Sequence, residues 1–326
     1  MGRRAAAARV SLAALVACCV VVPASAARRA GGICHSSPGE DCETRRTEKS
    51  SVRRPRGTKR QRAATEVAAT ASSVGVGSEG TPEHRHFFQD AELRPISPWH
   101  DLPMSASEDH AAVFWMVTEL PKAASMPYVV ATAERMNPLA PVLDVTSGEM
   151  REYAWSAWFN HGFLPQTWED AFELDPLLRM RGDDGPLDVV DIGARQFRRG
   201  ELVRVKVLGS IAFLNQGFCD WKIIVAAVDD LLAAQLNDVD EVEAFEPQLI
   251  VTIEEWFRRN EHFATREVSD PVNQEKTLNI VKWSHERWKR LRRGELDQYS
   301  LWLGDGMKPR ARESLLSDAR AEGSAP

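Results

Sequence analysis

The string Gly182-Asp183-Asp184-Gly185-Pro186-Leu187-Asp188-Val189 sets carboxylates at 183 and 188 on either side of a Gly-Pro turn. Such a turn can fold both toward one point. Hard cations such as Mg²⁺ take oxygen ligands and usually complete their shell with water and phosphate. A second group, Asp220-Trp221-Lys222, places an acid and a base two positions apart. On a strand those side chains share a face, so a carboxylate and an ammonium project together. An acid beside a base beside a metal suits phosphate chemistry. The same residues also fit a plainer arrangement, with Asp183, Asp184 and Asp188 capping turns and Lys222 paired to Asp220. Spacing alone leaves both readings open.

The elements that must position these groups are mostly strands. Apolar or alternating runs at 113–120, 128–131, 187–192, 202–208, 210–214 and 221–228 read as strands, several of them bounded by Gly or Pro. Short strands at this spacing point to a barrel. Two helices follow. In the first, Leu249, Ile250, Ile253, Trp256 and Phe257 repeat at helical spacing, and Pro247 is placed for a first turn. In the second, Leu278, Val281, Trp288 and Leu291 share a face, with Lys289, Arg290, Arg292 and Arg293 near its end and Gly294 just beyond. The fold class expected is mainly β with α (α+β). From Glu83 to Arg293 no second linker or internal repeat intervenes, so residues 82–294 read as one domain and 295–326 as a flexible tail.

Charge separates this body from what precedes it. Residues 1–80 carry 14 basic and 6 acidic groups, against 27 and 41 in the rest, so the net charge of −6 describes neither part. Arg3 and Arg4, an apolar run from Val10 to Val22 and the small residues Ala24-Ser25-Ala26 have the layout of a secretory signal peptide, residues 1–26. The run is too short for a membrane-spanning helix, and no stable membrane span is expected. Residues 27–81 form a basic low-complexity leader, read as a transit peptide ending in a Gly/Ser/Ala-rich linker at 69–80. Signal plus transit peptide implies import into an organelle by the secretory route, a plastid first, with secretion or residence in the endomembrane system and mitochondrial import as alternatives. The basic stretch lacks aromatic residues for base stacking, so no nucleic-acid partner is expected. Of five cysteines, Cys18 and Cys19 lie in the apolar run, Cys34 and Cys42 could pair in an oxidising compartment, and Cys219 is alone in the body. No CxxC or Cys/His spacing supports a zinc site or a disulfide-built fold.

Residues from about 95 to 293 resemble the soluble (family I) inorganic pyrophosphatases of the eukaryotic type. The strings that carry the resemblance are Pro98-Trp99-His100-Asp101-Leu102-Pro103, Val117-Thr118-Glu119-Leu120-Pro121, Asn160-His161-Gly162-Phe163-Leu164-Pro165-Gln166-Thr167-Trp168-Glu169-Asp170, the 182–188 string above, Gly217-Phe218-Cys219-Asp220-Trp221-Lys222 and Ser284-His285-Glu286-Arg287-Trp288-Lys289. The resemblance implies a small five-stranded OB-like β-barrel with flanking helices, usually in a homo-oligomer, and Mg²⁺-dependent hydrolysis of pyrophosphate to two phosphates. By position, Asp183, Asp188 and Asp220 match metal ligands, enough for one Mg²⁺ site. Lys222 matches a phosphate-binding lysine, and Glu119 an active-site glutamate.

Other positions depart from the family pattern. The middle aspartate of the family's Asp-x-Asp-Pro-x-Asp signature, which orients the attacking water, is Gly185 here. Asn215 replaces a further metal carboxylate, with Gln216 and Phe218 in place of nearby acids. The family's Lys-x-Glu pair reads Pro127-Tyr128-Val129, a tyrosine is His161, and a Tyr-Lys pair reads Asn260-Glu261. Ala154 aligns with a phosphate-binding arginine. His161 fits either a base near neutral pH or a filler of the tyrosine's space. With so many ligands replaced, the expectation is a family member with impaired or lost hydrolysis. The alternative is a wholly non-catalytic pseudoenzyme that binds pyrophosphate or phosphate or assembles with a protein partner.

Overall fold

The computed structural model describes residues 67–107, 110–215, 217–260, 267–297 and 300–305. The signal and transit readings, the possible pairing of Cys34 with Cys42, and positions 216 and 261 lie outside the described residues. The strands are β1 Ser72–Val76, β2 Arg85–Gln89, β3 Pro95–Ile96, β4 Val113–Leu120, β5 Tyr128–Val130, β6 Leu139–Pro141, β7 Asn160–Phe163, β8 Asp188–Asp191, β9 Leu202–Asn215 and β10 Phe218–Ala227. Then come helices α1 Leu231–Gln235, α2 Val239–Phe245 and α3 Leu249–Asn260, the short strands β11 Glu267–Val268 and β12 Val272–Asn273, and helix α4 Gln274–Arg292.

Strands β10, β8, β7, β4 and β9 pair in that order, and β9 pairs again with β10, which closes a ring of five. All pairings in the ring are antiparallel except β8 with β10. This sheet-rich α+β arrangement is compatible with the OB-like expectation. The parallel register sets Lys222 directly opposite Asp188. Strand alternation does the rest. Trp221, Ile223 and Val225 of β10 join one apolar cluster with Met116, Val189 and Val205, while Ile224 and Ala226 join another with Ile253 and Phe257 of α3. Both faces are covered, which is why β10 reads as an almost unbroken apolar run. Asp220 and Lys222 continue the face turned toward α3, and the Lys222 ammonium lies 5.1 Å from the centre of the Phe257 ring.

Four differences from the sequence reading have physical causes. The runs at 202–208 and 210–214 form one strand, β9, because Gly209 stays in the ladder opposite Ile224 and Asn273. Strand β7 escaped notice because it contains Gly162, which argues against a strand on propensity. A Cβ there would collide with the Val117 carbonyl, so glycine permits the close approach of β4. Part of the supposed linker at 69–80 is β1, paired along its whole length with β2. The supposed loose tail is in part anchored: Leu301 and Leu303 are buried in a third cluster with Phe88, Trp99, Trp168 and Trp288, and Trp302 N–H donates to the Thr132 carbonyl at 2.8 Å.

That third cluster has a built-in pH dependence. His100 is buried, its Nδ1 accepts from the Trp288 indole at 3.0 Å, and its Nε2 lies 3.0 Å from the Trp302 carbonyl. Burial, and then the charge of Arg292, pushes the imidazole down to about 3. The unfolded chain, near 6.5, takes the proton first. The contribution of His100 to stability is therefore complete above about pH 6.5 and is lost as pH falls toward 3. We expect this residue to cost about 2 kcal/mol between pH 7 and pH 5, following a slope of about 1.4 kcal/mol per pH unit. Urea denaturation at both pH values should show a correspondingly shallower loss in His100→Asn.

Candidate active site

The acids and bases singled out by sequence meet at one end of the strand ring. Lys222, buried on β10, bonds the Asp220 Oδ1 at 2.6 Å and also bonds the Asp188 Oδ2 across the parallel ladder. Asp188 has a second neighbour: His161 Nε2, from β7, stands 3.4 Å from the same oxygen. On its other side His161 Nδ1 is 4.0 Å from Glu119 Oε2. Glu119, next to last in β4, accepts the Val130 N–H at 2.6 Å through Oε1. Glu119, His161, Asp188, Lys222 and Asp220 thus form one continuous polar network.

Its electrostatics follow from burial and mutual contact. Burial raises Asp188, but Lys222 and His161 outweigh it and hold the carboxyl well below the usual range. Burial opposes the charge on His161, and Asp188 overrides that, so its net shift is upward. Glu119 has no cation so close. Burial, reinforced by the charge of Asp188, pushes it up to about 8. At neutral pH the network therefore holds an ionised Asp188 beside the Lys222 ammonium and a protonated Glu119.

Asp183 lies at the other edge. Glu169, Asp183 and Asp220 each offer a carboxylate oxygen, and these oxygens all lie within 4.8 Å of one another. The loop geometry that joins them is tight. Gly182 N–H donates to Asp170 O at 2.8 Å, Asp184 N–H to Glu169 O at 3.1 Å, and Glu169 N–H to Gly185 O at 2.8 Å. A Cβ on Gly182 would run into the Glu169 carbonyl, so glycine lets the two loops touch. Glu169 is buried. Its Oε1 accepts the Trp221 N–H at 3.0 Å, whereas Oε2 has no hydrogen-bond partner. Burial, then the charges of Asp183 and Asp220, raise this carboxyl well above its ordinary range. A donor set made only of carboxylate oxygens, one of them orphaned, fits a hard divalent cation.

Glu169 is the residue that sequence reasoning passed over. The signal was present, an acid directly after Trp168 in the 160–170 string, but nothing local set it apart from a loop carboxylate. Asp184, by contrast, does not join the cluster of three. Its backbone is left-handed, φ 73°, and its Oδ1 accepts the Trp168 indole N–H at 3.0 Å. The other substituted positions are equally plain. Val129 and Phe218 are exposed, Ala154 is exposed, and Asn260 bonds the Trp155 backbone through both ends of its amide. Cys219 is buried, and burial raises its thiol far above the reactive range.

The profile of the family described as inorganic pyrophosphatase matches residues 116–289. The chain belongs to the inorganic pyrophosphatase family. It is 35% identical over 244 residues to a soluble inorganic pyrophosphatase 1, chloroplastic, of Chlamydomonas reinhardtii, covering 72% of this chain and 85% of that protein. It is 36% identical over 224 residues to the human inorganic pyrophosphatase, covering 64% of this chain and 74% of the human one. Among solved structures, the type I inorganic pyrophosphatase of Toxoplasma gondii superposes with a TM-score of 0.63 at 32% identity, covering 68% of this chain and all of that one. The pyrophosphatase match takes in β7 to β10 and most of α4, so every acid and base of the network lies within it. Among the described residues of this pyrophosphatase-family chain, no helix is long and apolar enough to cross a membrane.

Proposed function

We propose that this pyrophosphatase-family chain binds diphosphate with Mg²⁺ and hydrolyses it slowly. The carrying observation is Gly185, which brings no side chain to the position between Asp183 and Asp188. Asp184 does not replace it, because its left-handed backbone and its bond to Trp168 hold its carboxyl elsewhere. Asp183, Asp188 and Asp220 are the acids that resemblance assigns to one ion. Mg²⁺ bound among them would neutralise phosphate charge and make water a better nucleophile. Lys222 is the base best placed to meet a phosphate, and to do so it must exchange its carboxylate partners for phosphate oxygens. His161 faces Asp188, with its Nε2 3.4 Å from the carboxylate. No positioned group remains at 185 to orient the attack, which costs on the order of 10²–10⁴ in rate.

A phosphate-release assay on the full chain with diphosphate and Mg²⁺, run beside the human enzyme, tests this. Turnover about 10²–10⁴-fold below the human enzyme is expected. Turnover within tenfold would sink the proposal. Binding of diphosphate by calorimetry with no release at all would favour the second reading, a non-catalytic binding or assembly subunit. The closed contacts of Lys222 with both acids favour that reading.

The site of action is a plastid, reached by the secretory route. The support is the layout of residues 1–80 and the chloroplastic designation of the Chlamydomonas relative. The body, residues 82–294, acts there as a homo-oligomer or with a protein partner. A reporter fused to residues 1–80 that stays in the cytosol would dismiss the targeting.

A further inference from the structure

We infer that the cavity between segments 68–73 and 195–202 binds a phosphate-bearing organic anion, apart from the acid–base network at the end of the strand ring. Such a site is independent of diphosphate hydrolysis. The cavity measures about 750 Å³, a size typical of pockets that take small molecules. Its lining carries Arg195, Arg198 and Arg199 against a single acid, Glu201. That acid is already committed. Its Oε1 accepts from the Arg195 guanidinium at 2.6 Å, and its Oε2 from the Arg198 backbone N–H at 2.8 Å. Of the three arginines, only Arg195 forms ion pairs among the described residues, with Glu201 and, at 3.9 Å, with Asp229. In a body that holds 27 basic and 41 acidic groups, a concave cationic surface concentrates anions.

Two features make this a built site rather than a scatter of surface charge. The first is Arg199. Its guanidinium lies 3.7 Å from the centre of the Tyr128 ring, Nε donates to the Glu119 carbonyl at 3.3 Å, and Nη2 donates to the Met126 carbonyl at 3.1 Å. The fork is therefore fixed before a ligand arrives, and little freedom is lost on binding. Its Nη1 makes no hydrogen bond among the described residues. Burial outweighs the pull of Tyr128 and Glu79 and holds this guanidinium below its ordinary value, so a further anion would relieve it. The second feature is Trp115 of β4. It is 7% exposed, lines the same cavity, and its indole N–H has no acceptor among the described residues. An indole donates and cannot accept. Guanidinium forks and a donor-only indole call for negative charge on several acceptor oxygens, and a phosphate group supplies three. The volume leaves room for an organic body behind that group. None of Glu119, His161, Asp188, Lys222 or Asp220 lines the cavity.

Calorimetric titration of the full chain with AMP and, separately, with inorganic phosphate, both in chelator, tests the site. AMP is expected to bind one to one and more tightly than inorganic phosphate. Arg199→Gln should weaken AMP binding at least ~10-fold, as loss of a hydrogen bond between charged groups implies. Arg198→Gln should weaken it about threefold, the smaller effect of an exposed charge. Lys222→Met, at the acid–base network, should leave AMP affinity within about twofold of the parent, as separate sites do. If Arg199→Gln does not fold, Arg198→Gln and Trp115→Phe, which deletes the indole donor, should each still show a loss. Equal affinity for AMP and inorganic phosphate would remove the organic body from the proposal and keep the phosphate site. Parent-like affinity in the arginine variants, loss of binding in Lys222→Met instead, or no heat from either ligand overturns the site altogether.

Discussion

Gly185→Asp is expected to raise Mg²⁺-dependent release of phosphate from diphosphate about 10²-fold, the lower end of what a positioned group supplies. The backbone tolerates the change. Gly185 is not among the positive-φ residues, and a Cβ there would meet only the Asp183 side chain, most closely Oδ1 at 3.3 Å. That oxygen ends an exposed side chain, which can yield a few tenths of an ångström. The backbone groups of residue 185 keep their bonds to Asp183 and Glu169. The lower end is the right expectation because Pro127, Val129 and Asn260 still stand where the family resemblance places other working groups. A fourth carboxylate beside Glu169, Asp183 and Asp220 also raises the charge density of the metal-free site. The variant should therefore melt below the parent in chelator and recover on adding Mg²⁺. Unchanged turnover despite tighter Mg²⁺ binding would mean that the phosphate side, not the missing carboxylate, limits the reaction.

The second large effect concerns the loop that carries Glu169. Arg287→Met is expected to cost about 3–5 kcal/mol of stability, the usual consequence of leaving one half of a buried ion pair behind. Arg287 reaches from α4 and is 5% exposed. Its Nε lies 2.6 Å from Asp170 Oδ2, a second guanidinium nitrogen meets the same oxygen, and Nη1 is 2.7 Å from Glu173. Asp170 is wholly buried, and its Oδ1 accepts from the Phe172 and Glu173 N–H groups at 2.8 and 3.1 Å. Methionine fills the volume but leaves that carboxylate without its cation. Urea denaturation measures the loss, and Asp170→Asn in the Arg287→Met background should recover part of it. A loss under about 1 kcal/mol would show that the pair is no stronger than a surface salt bridge. Because Glu169 is the neighbour of Asp170, the same variant should loosen the cluster of Glu169, Asp183 and Asp220.

How much of this was legible beforehand depended on the range of the forces involved. Strands β4, β9 and β10 and helices α3 and α4 announce themselves because their apolar residues repeat with the period of the element, and burial on those faces is what makes them form. Asp220 and Lys222 were legible as a pair for the same reason: the pleat alone puts them on one face. The opposition of Lys222 to Asp188 was not, since it depends on the register of a parallel pairing between strands 34 residues apart. Glu169 was illegible for a related reason. Its place beside Asp183 and Asp220 comes from Gly182 pressing against its backbone, a contact that no periodicity encodes. Strand β7 and the anchored end at 300–305 were hidden because each is short and owes its structure to neighbours rather than to propensity.

The burial of Leu301 and Leu303 has a bearing on when the protein folds. They share an apolar cluster with Ala68 and Phe88, so the earliest and latest described segments of the chain complete one another. A ribosome adding roughly 5–20 residues per second needs on the order of 10–50 seconds to pass from the first of these segments to the last. Through most of that interval Phe88 and Trp99 lack part of their cover. Whatever machinery receives the nascent chain must shield that surface, or keep the whole chain extended, until Leu303 has been made.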